Sequence, residues 1–316
     1  MFLVCEIGLG CGGLGDRLVG LVSAILLAKL SKRTLVIRWD KPNMDAIWEN
    51  QFRADPNTLR PRKDDIHWNY IDQRFKYRRE LTEAMFDKIW PRHRNVYLQG
   101  NQEIASFVYG DPDGFIRDVT QVYADLFTKY LLVKGAPPFY PSPESSLGIQ
   151  IRAGDTHMKA GHVEYISAEA LKKNILPAVV SFIRKYPRKF ASIFVTSDVP
   201  NCAALLQEQL EDTAVIVNLD NQQLVTHVDR PGASLAGLRK TVADLQTLAR
   251  CQVQLFSWVS NFGRVAALMG MGIGNPELHT IYLHHEGVRI VPVTSITALT
   301  TKHQQVRDLV TPPPPP

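Results

Sequence analysis

Cysteine is scarce in this chain of 316 residues: there are four, Cys5, Cys11, Cys202 and Cys251, and no CxxC spacing joins any of them. That removes the paired-cysteine signature of a zinc site and gives no disulfide framework. Cys5, in an apolar strand-like run, and Cys251, in a helical one, read as small buried hydrophobes. No stretch reaches the roughly 18 to 20 apolar residues that a membrane span requires. The opening Met-Phe-Leu-Val-Cys-Glu lacks a basic n-region, so the chain is expected to be soluble and cytoplasmic. Neither GxSxG nor HExxH occurs, which leaves serine-hydrolase and zinc-protease chemistry unsupported. His157, His162 and the His284-His285 pair have no partner at metal-ligand spacing, so no metal centre is expected. Charge of one sign is also lacking: 36 basic residues face 31 acidic ones, for a formal net charge of +5. The densest basic run, 74–79, reads as solvated surface rather than as a nucleic-acid or membrane patch. No repeat recurs at a fixed period.

What is present is an alternation of strands and helices. Residues 2–7 form a short apolar run ending in glycines, and Leu14, Leu18, Leu21, Val22, Ile25 and Leu30 then share one helical face. A second strand follows from Thr34, completing a β-loop-α-β unit of the kind that builds parallel sheets. The stretch 40–115 is polar and weakly patterned, and 115–131 is helical again. Residues 135–146 hold four prolines, which fix φ and remove donors, and so form the best linker. Beyond it the alternation is cleaner: strands at 147–152, 192–196, 214–218, 253–256 and 280–283 are separated by helices at 167–185, 201–210, 235–250 and 260–270. The expected organisation is an N-terminal Rossmann-like domain over 1–134, the linker, a second Rossmann-like domain over 147–310 and a proline-rich tail over 311–316.

Four constellations fall where such sheets bind ligands, beyond the carboxyl ends of the strands. The first is Gly8-Leu-Gly10-Cys-Gly12-Gly13-Leu-Gly15-Asp16-Arg17, between the first strand and first helix. Its glycines let backbone approach a ligand, and a helix N-terminus offers N–H groups to an anion. The loop fits GxGxxG in two registers, and Asp40 stands near the position of a ribose-binding acid, so an NAD(P)-dependent oxidoreductase is one reading. The doubled fit reflects glycine density, and Asp16 would repel a pyrophosphate there but suits a general base. The second is Gln150-Ile-Arg152-Ala-Gly154-Asp155, a strand ending in an Arg whose forked guanidinium suits a diphosphate. Paired with its neighbour Asp155, that Arg would instead be a surface ion pair. The third is Val195-Thr196-Ser197-Asp198, whose Asp either lines the crevice or caps a helix ahead of Pro200. The fourth joins Asp244 to Ser257-Trp-Val-Ser260-Asn261-Phe262, a strand end that opens a helix with hydroxyl, amide and backbone donors. Asp111-Pro112-Asp113 looks like a metal-holding DxD but sits among Gly110 and Gly114, as a turn does.

Taken in order, these pieces resemble the fucosyltransferase superfamily that joins the α1,2-, α1,6- and protein O-fucosyltransferases. The glycine-rich opening is similar to that family's GxGNR or GxGD. Gln150-Ile-Arg152-Ala-Gly154-Asp155 is similar to its HxRxGD motif, and Val195–Asp198 and Asp244 with Ser257–Phe262 to its second and third. The resemblance implies an α/β GT-B fold, two Rossmann-like domains facing each other across a cleft, the first handling acceptor and the second the nucleotide-sugar. It implies inverting, metal-independent transfer of fucose from GDP-fucose to a glycan or glycoprotein hydroxyl, with no further cofactor. Arg152 would then neutralise the β-phosphate of departing GDP. Gly13, Gly15 and Gly154 would shape the site, Asp198 line it, and Ser260, Asn261 and Phe262 hold the phosphates and nucleoside. Asp244 would hold guanine, and Asp16 would act as the base on the acceptor hydroxyl. One departure stands out: the motif's histidine is Gln150 here, which is compatible with a different sugar, such as a xylose donor. Trp39, Trp48, Trp68 and Trp90 are candidates for stacking on acceptor sugars.

Overall fold

The computed structural model describes residues 1–8, 11–39, 44, 47–52, 59, 62–69, 86–87, 90–93, 95–100, 104–134, 145–153, 166–210, 216–218, 234–274, 276–284, 287–295 and 299. Of the expected linker over 135–146, residues 135–144 lie outside the described residues and Ser146 already begins a strand; the tail, the basic run, His157, His162, Asp40, Gly10, Gly154 and Asp155 also lie outside the described residues.

In the N-terminal half, strand β1 (Phe2–Ile7) leads through the glycine loop into helix α1 (Leu14–Leu30) and strand β2 (Thr34–Trp39). Then come the short strands β3 (Trp48–Asn50) and β4 (Ile66–Asn69), β5 (Asn95–Gln99), helix α2 (Pro112–Ala124) and β6 (Leu131–Val133). The sheet runs β2-β1-β5-β4 and is parallel throughout, while β3 and β6 pair antiparallel apart from it. Parallel pairing explains the unbroken apolar run of β1, because both faces of such a sheet are covered. Leu3, Cys5 and Ile7 face α1; Val4 joins Val36, Leu59 and Tyr97 on the other face. The Asp-Pro-Asp segment is a helix start, not a turn: Asp111 caps α2 by accepting from Asp113 N–H at 3.1 Å, with Pro112 in the first turn.

In the C-terminal half, β7 (Ser146–Ile151) is followed by a helical turn (Ala168–Ala170), a π segment (Leu171–Ile175) and helix α3 (Leu176–Lys185). Strand β8 (Ser192–Ser197), α4 (Cys202–Leu210), α5 (Leu235–Arg250), β9 (Val253–Ser257), α6 (Asn261–Ile273), β10 (Glu277–His284) and β11 (Gly287–Pro292) complete it. The sheet order is β11-β10-β9-β7-β8, with only β11 antiparallel among the described strands. Of the expected strand at 214–218, Ile216 bridges Ile193 in parallel, and 211–215 lie outside the described residues. Leu147, Ile149 and Ile151 pack on α3 and α4, so the alternate residues Gly148 and Gln150 face α5 and α6.

A single apolar cluster runs through both halves. It joins Leu18, Leu21, Val22 and Val119 to Leu245, Leu248, Val265 and Leu268. Helix α6 is the element that makes this possible, because it packs against α5 of its own half and against α1 and α2 of the other.

Candidate nucleotide-sugar site

The chain leaves β7 for β8 on one side and later returns to place β9 on the other side of β7. The order of strands therefore reverses between β7 and β9, and the crevice outside their carboxyl ends is where an open α/β sheet receives a ligand. Three of the four motifs end there. Arg152 follows β7, Asp198 follows β8, and Ser260 follows β9.

Arg152 is fixed from two sides. Its backbone N–H donates to Ser257 Oγ at 2.9 Å, and its guanidinium Nη1 pairs with Asp198 Oδ2 at 3.2 Å. Asp198 also accepts from Ala153 N–H, 2.8 Å from its Oδ1, so one carboxylate orients both the side chain and the turn that carries it. Asp198 is thus a partner of Arg152, on the neighbouring strand. The Arg152 side chain keeps 21% exposure, which leaves part of the guanidinium available to an incoming anion.

Helix α6 opens beside it. Ser260 is its N-cap and accepts from Gly263 N–H at 3.4 Å, and the backbone N–H groups of Asn261 and Phe262 make no hydrogen bond among the described residues. Gln150 is buried under the same turn; its Oε1 has no partner among the described residues and stands where a Cβ on Gly263 would meet it at 2.7 Å.

The glycine loop does something the sequence did not announce. Gly12 takes a left-handed conformation at φ +75, which turns the chain into α1. A Cβ on Gly15 would lie 2.4 Å from Phe262 N and 2.6 Å from Asn261 C, so backbone of α1 abuts backbone of α6. Gly15 is a point of helix contact. Asp16 accepts the Gly13 N–H at 3.1 Å through Oδ2, and Asn261 Nδ2 donates to its Oδ1. Arg264, buried with its pKa pushed down by desolvation, donates from Nη1 to Asn261 Oδ1 at 3.0 Å and from Nε to Leu299 O at 3.0 Å. Both oxygens of Asp16 are therefore engaged, and the Asn261 amide is held at each end. Nothing in the sequence spacing signals this link between positions 245 residues apart.

Asp244 is buried on α5 beneath the end of β8. Thr196 Oγ1 donates to its Oδ2 at 2.8 Å and Lys240 Nζ to the same oxygen at 2.6 Å. Burial pushes the Asp244 carboxyl up, against the opposing pull of Lys240 and Thr196. Lys240 was missed in the sequence, although its place four residues before Asp244 on one helix face is a readable signal.

Trp39, Trp48 and Trp90 are buried and do not present faces for sugar stacking; Trp39 and Trp48 pack edge to face at 4.9 Å. The Trp68 side chain is outside the described set. Among the described residues, no group of three or more His, Cys, Asp or Glu is placed to hold a metal ion, and no helix is long and apolar enough to cross a membrane.

No family model matches the chain, and no curated protein sequence does. Solved structures do match. An arginine-to-lysine mutant of Arabidopsis thaliana FUT1 in complex with GDP superposes with a TM-score of 0.64 at 13% identity, over 93% of this chain and 74% of that one. NodZ α-1,6-fucosyltransferase soaked with GDP-fucose gives 0.53 at 16% identity, covering 92% of this chain and 98% of its own. POFUT1 in complex with GDP gives 0.50 at 12%, with 88% and 98% covered. At such identities the likeness is one of fold. The chain has the α/β GT-B architecture of fucosyltransferases.

Proposed function

We propose that the protein is a glycosyltransferase that moves fucose from GDP-fucose to a hydroxyl of a glycan or glycoprotein, with inversion and without a required metal. The observation that carries this reading is the setting of Arg152: a half-open guanidinium, held by Asp198 and Ser257, at the strand-order reversal and beside the uncapped N–H groups of α6. A nucleoside diphosphate needs that combination of a forked cation and a helix N-terminus. The fold neighbours crystallised with GDP or GDP-fucose supply the base and the sugar.

In the reaction, the acceptor oxygen attacks the anomeric carbon from the face opposite GDP while the bond from that carbon to the β-phosphate oxygen breaks, and the acceptor's proton passes to Asp16. Negative charge grows on the departing β-phosphate, and Arg152 meets it there, which is where preorganised electrostatics contribute most. The α6 N-terminus, with Ser260, Asn261 and Phe262, holds the diphosphate. Asp244 faces the base, and the N-terminal half receives the acceptor. Gly13 closes the cap of α1. Asp16, which holds Asn261 across the junction, we assign as the base on the acceptor hydroxyl; one donor on each of its oxygens does not fill the acceptor sites of a carboxylate.

The deciding measurement is calorimetric titration with GDP, GDP-fucose, UDP, UDP-xylose and NAD, each with and without magnesium. Binding of GDP and GDP-fucose that is indifferent to magnesium is expected, followed by turnover in an acceptor screen. UDP and UDP-xylose in their place would move the reading to a xylose donor, and NAD alone would end it.

A further inference from the structure

Arg264 is buried on α6, 7% exposed, and the leaving-group chemistry does not use it. Two arms of its guanidinium, Nε and Nη2, donate to the carbonyl of Leu299, at 3.0 Å from Nε. The third, Nη1, donates to Asn261 Oδ1 at 3.0 Å. Anchoring to Leu299 needs only the first two, so the third has a separate task. Burial disfavours the charge of Arg264, and Asp16 across the junction is among the groups that favour it.

That task follows from the chemistry of an amide. Arginine is a donor only, so the oxygen end of Asn261 must face Arg264, and its Nδ2 faces Asp16. A donor is what a carboxylate accepts. Turned over, the amide would set its oxygen against Asp16, a contact that only the protonated acid satisfies. A base needs the first arrangement. We infer that Arg264 is a positioning residue for Asp16: it fixes the Asn261 amide, and the segment after β11 fixes Arg264 in turn through Leu299 O. The inference rests on the assignment of Asp16 as base and deepens that reading. It also divides the roles of Asn261. Its side chain is committed to Asp16 and Arg264, so a diphosphate at this helix end meets its backbone N–H. Loosening Arg264 therefore slows turnover more than it weakens nucleotide binding.

The test is a kinetic cycle on the full chain: wild type, Asp16→Asn, Arg264→Lys and the double variant. The readout is GDP released from GDP-fucose with water as the acceptor. Lysine keeps the charge but lacks the rigid fork that spans Leu299 O and Asn261 Oδ1. Asp16→Asn should lower kcat by roughly a hundredfold or more. Arg264→Lys should lower it by about tenfold in the wild-type background, with GDP affinity within about threefold, and by less than about twofold once Asp16 is Asn. Equal losses in the two backgrounds would overturn the inference and leave Asp16 as the base. So would a wild-type kcat in Arg264→Lys with only the Tm lowered, which is the mark of a stabilising staple. Near-normal kcat in Asp16→Asn would remove the base reading and the inference with it. Should Arg264→Lys fail to fold, Asn261→Ala breaks the same link without removing the buried cation. The same dependence on Asp16 is expected there, and equal losses in both backgrounds would again refute it.

Discussion

Replacing Gly15 by Ala tests the junction on which the whole site depends. A methyl there would stand 2.4 Å from Phe262 N, 2.6 Å from Asn261 C and 2.8 Å from Phe262 Cα. Ordinary carbon contacts begin near about 3.5 Å, so α1 and α6 would have to part by roughly 1 Å. All three neighbours are backbone atoms, which have no rotamer to adopt. Overpacking of this kind costs about 1–3 kcal/mol and sometimes more. Against it stands the better helix propensity of Ala, about 1 kcal/mol at most. The net expectation is a loss of about 1 kcal/mol, equivalent to a drop in Tm of roughly 2–4 °C at most for a chain of this length. Thermal and urea unfolding would measure it, with Gly110→Ala and Gly274→Ala as references, since a Cβ at either meets nothing within 4 Å. The same variant should weaken GDP binding, because the first turn of α6 is what moves. A Gly15→Ala protein as stable as wild type, or more stable, would mean that the helices do not abut and that the glycine answers to something else.

Arg152→Ala should lower kcat by roughly two orders of magnitude or more, since the lost stabilisation acts on the leaving group; near-normal kcat would remove Arg152 from the mechanism. Asp16→Ala, Asn261→Ala and the double variant form a cycle in which a coupling of about 1–2 kcal/mol is expected in unfolding, and additive effects would deny the bridge between the halves. Burial raises the Cys202 thiol from 9.0 to about 11 and the Cys251 thiol to about 12. Folded thiols with raised pKa contribute stability that is complete below pH 9 and fades as pH climbs through the folded values, at up to about 1.4 kcal/mol per unit for each group. Tm should therefore fall between pH 9 and 10.5, less steeply in Cys202→Ala; a flat wild-type profile would contradict the burial.

The sequence carried the alternation of the C-terminal half well, because each buried parallel strand is a short apolar run bounded by a helix cap. The expected helix at 235–250 is α5 with the same bounds, and Ser234 caps it by accepting from Gly237 N–H at 3.0 Å. β11 was missed, since its half-exposed residues show no apolar run. In the N-terminal half β3, β4 and β6 are three or four residues long, too short for a period to register. Site residues at strand ends were legible for the same reason as the strands. Pairings across the chain were not: Arg152 was weighed against adjacent Asp155, whereas its observed partner is Asp198, on the neighbouring strand. The tryptophans misled because bulk and aromaticity suit a core as well as a sugar. Trp48 and Trp90 fill space between elements that only the tertiary fold brings together.

Helix α6 joins the two questions of how the chain coheres and where it binds. Its first turn meets the first turn of α1, so two helix N-termini, each with partial positive charge, converge on one point. That arrangement repels itself unless an anion lies between. Asp16 supplies one carboxylate, shared between Gly13 N–H on its own helix and Asn261 on the other. The N–H groups of Asn261 and Phe262 make no hydrogen bond among the described residues, and beside them lies the exposed part of Arg152, whose charge Asp198 already offsets. On the function proposed above, a diphosphate would take up the N–H groups of this helix end. Binding it should accordingly tighten the contact between the halves as well as fill the crevice, because the same helix end serves both.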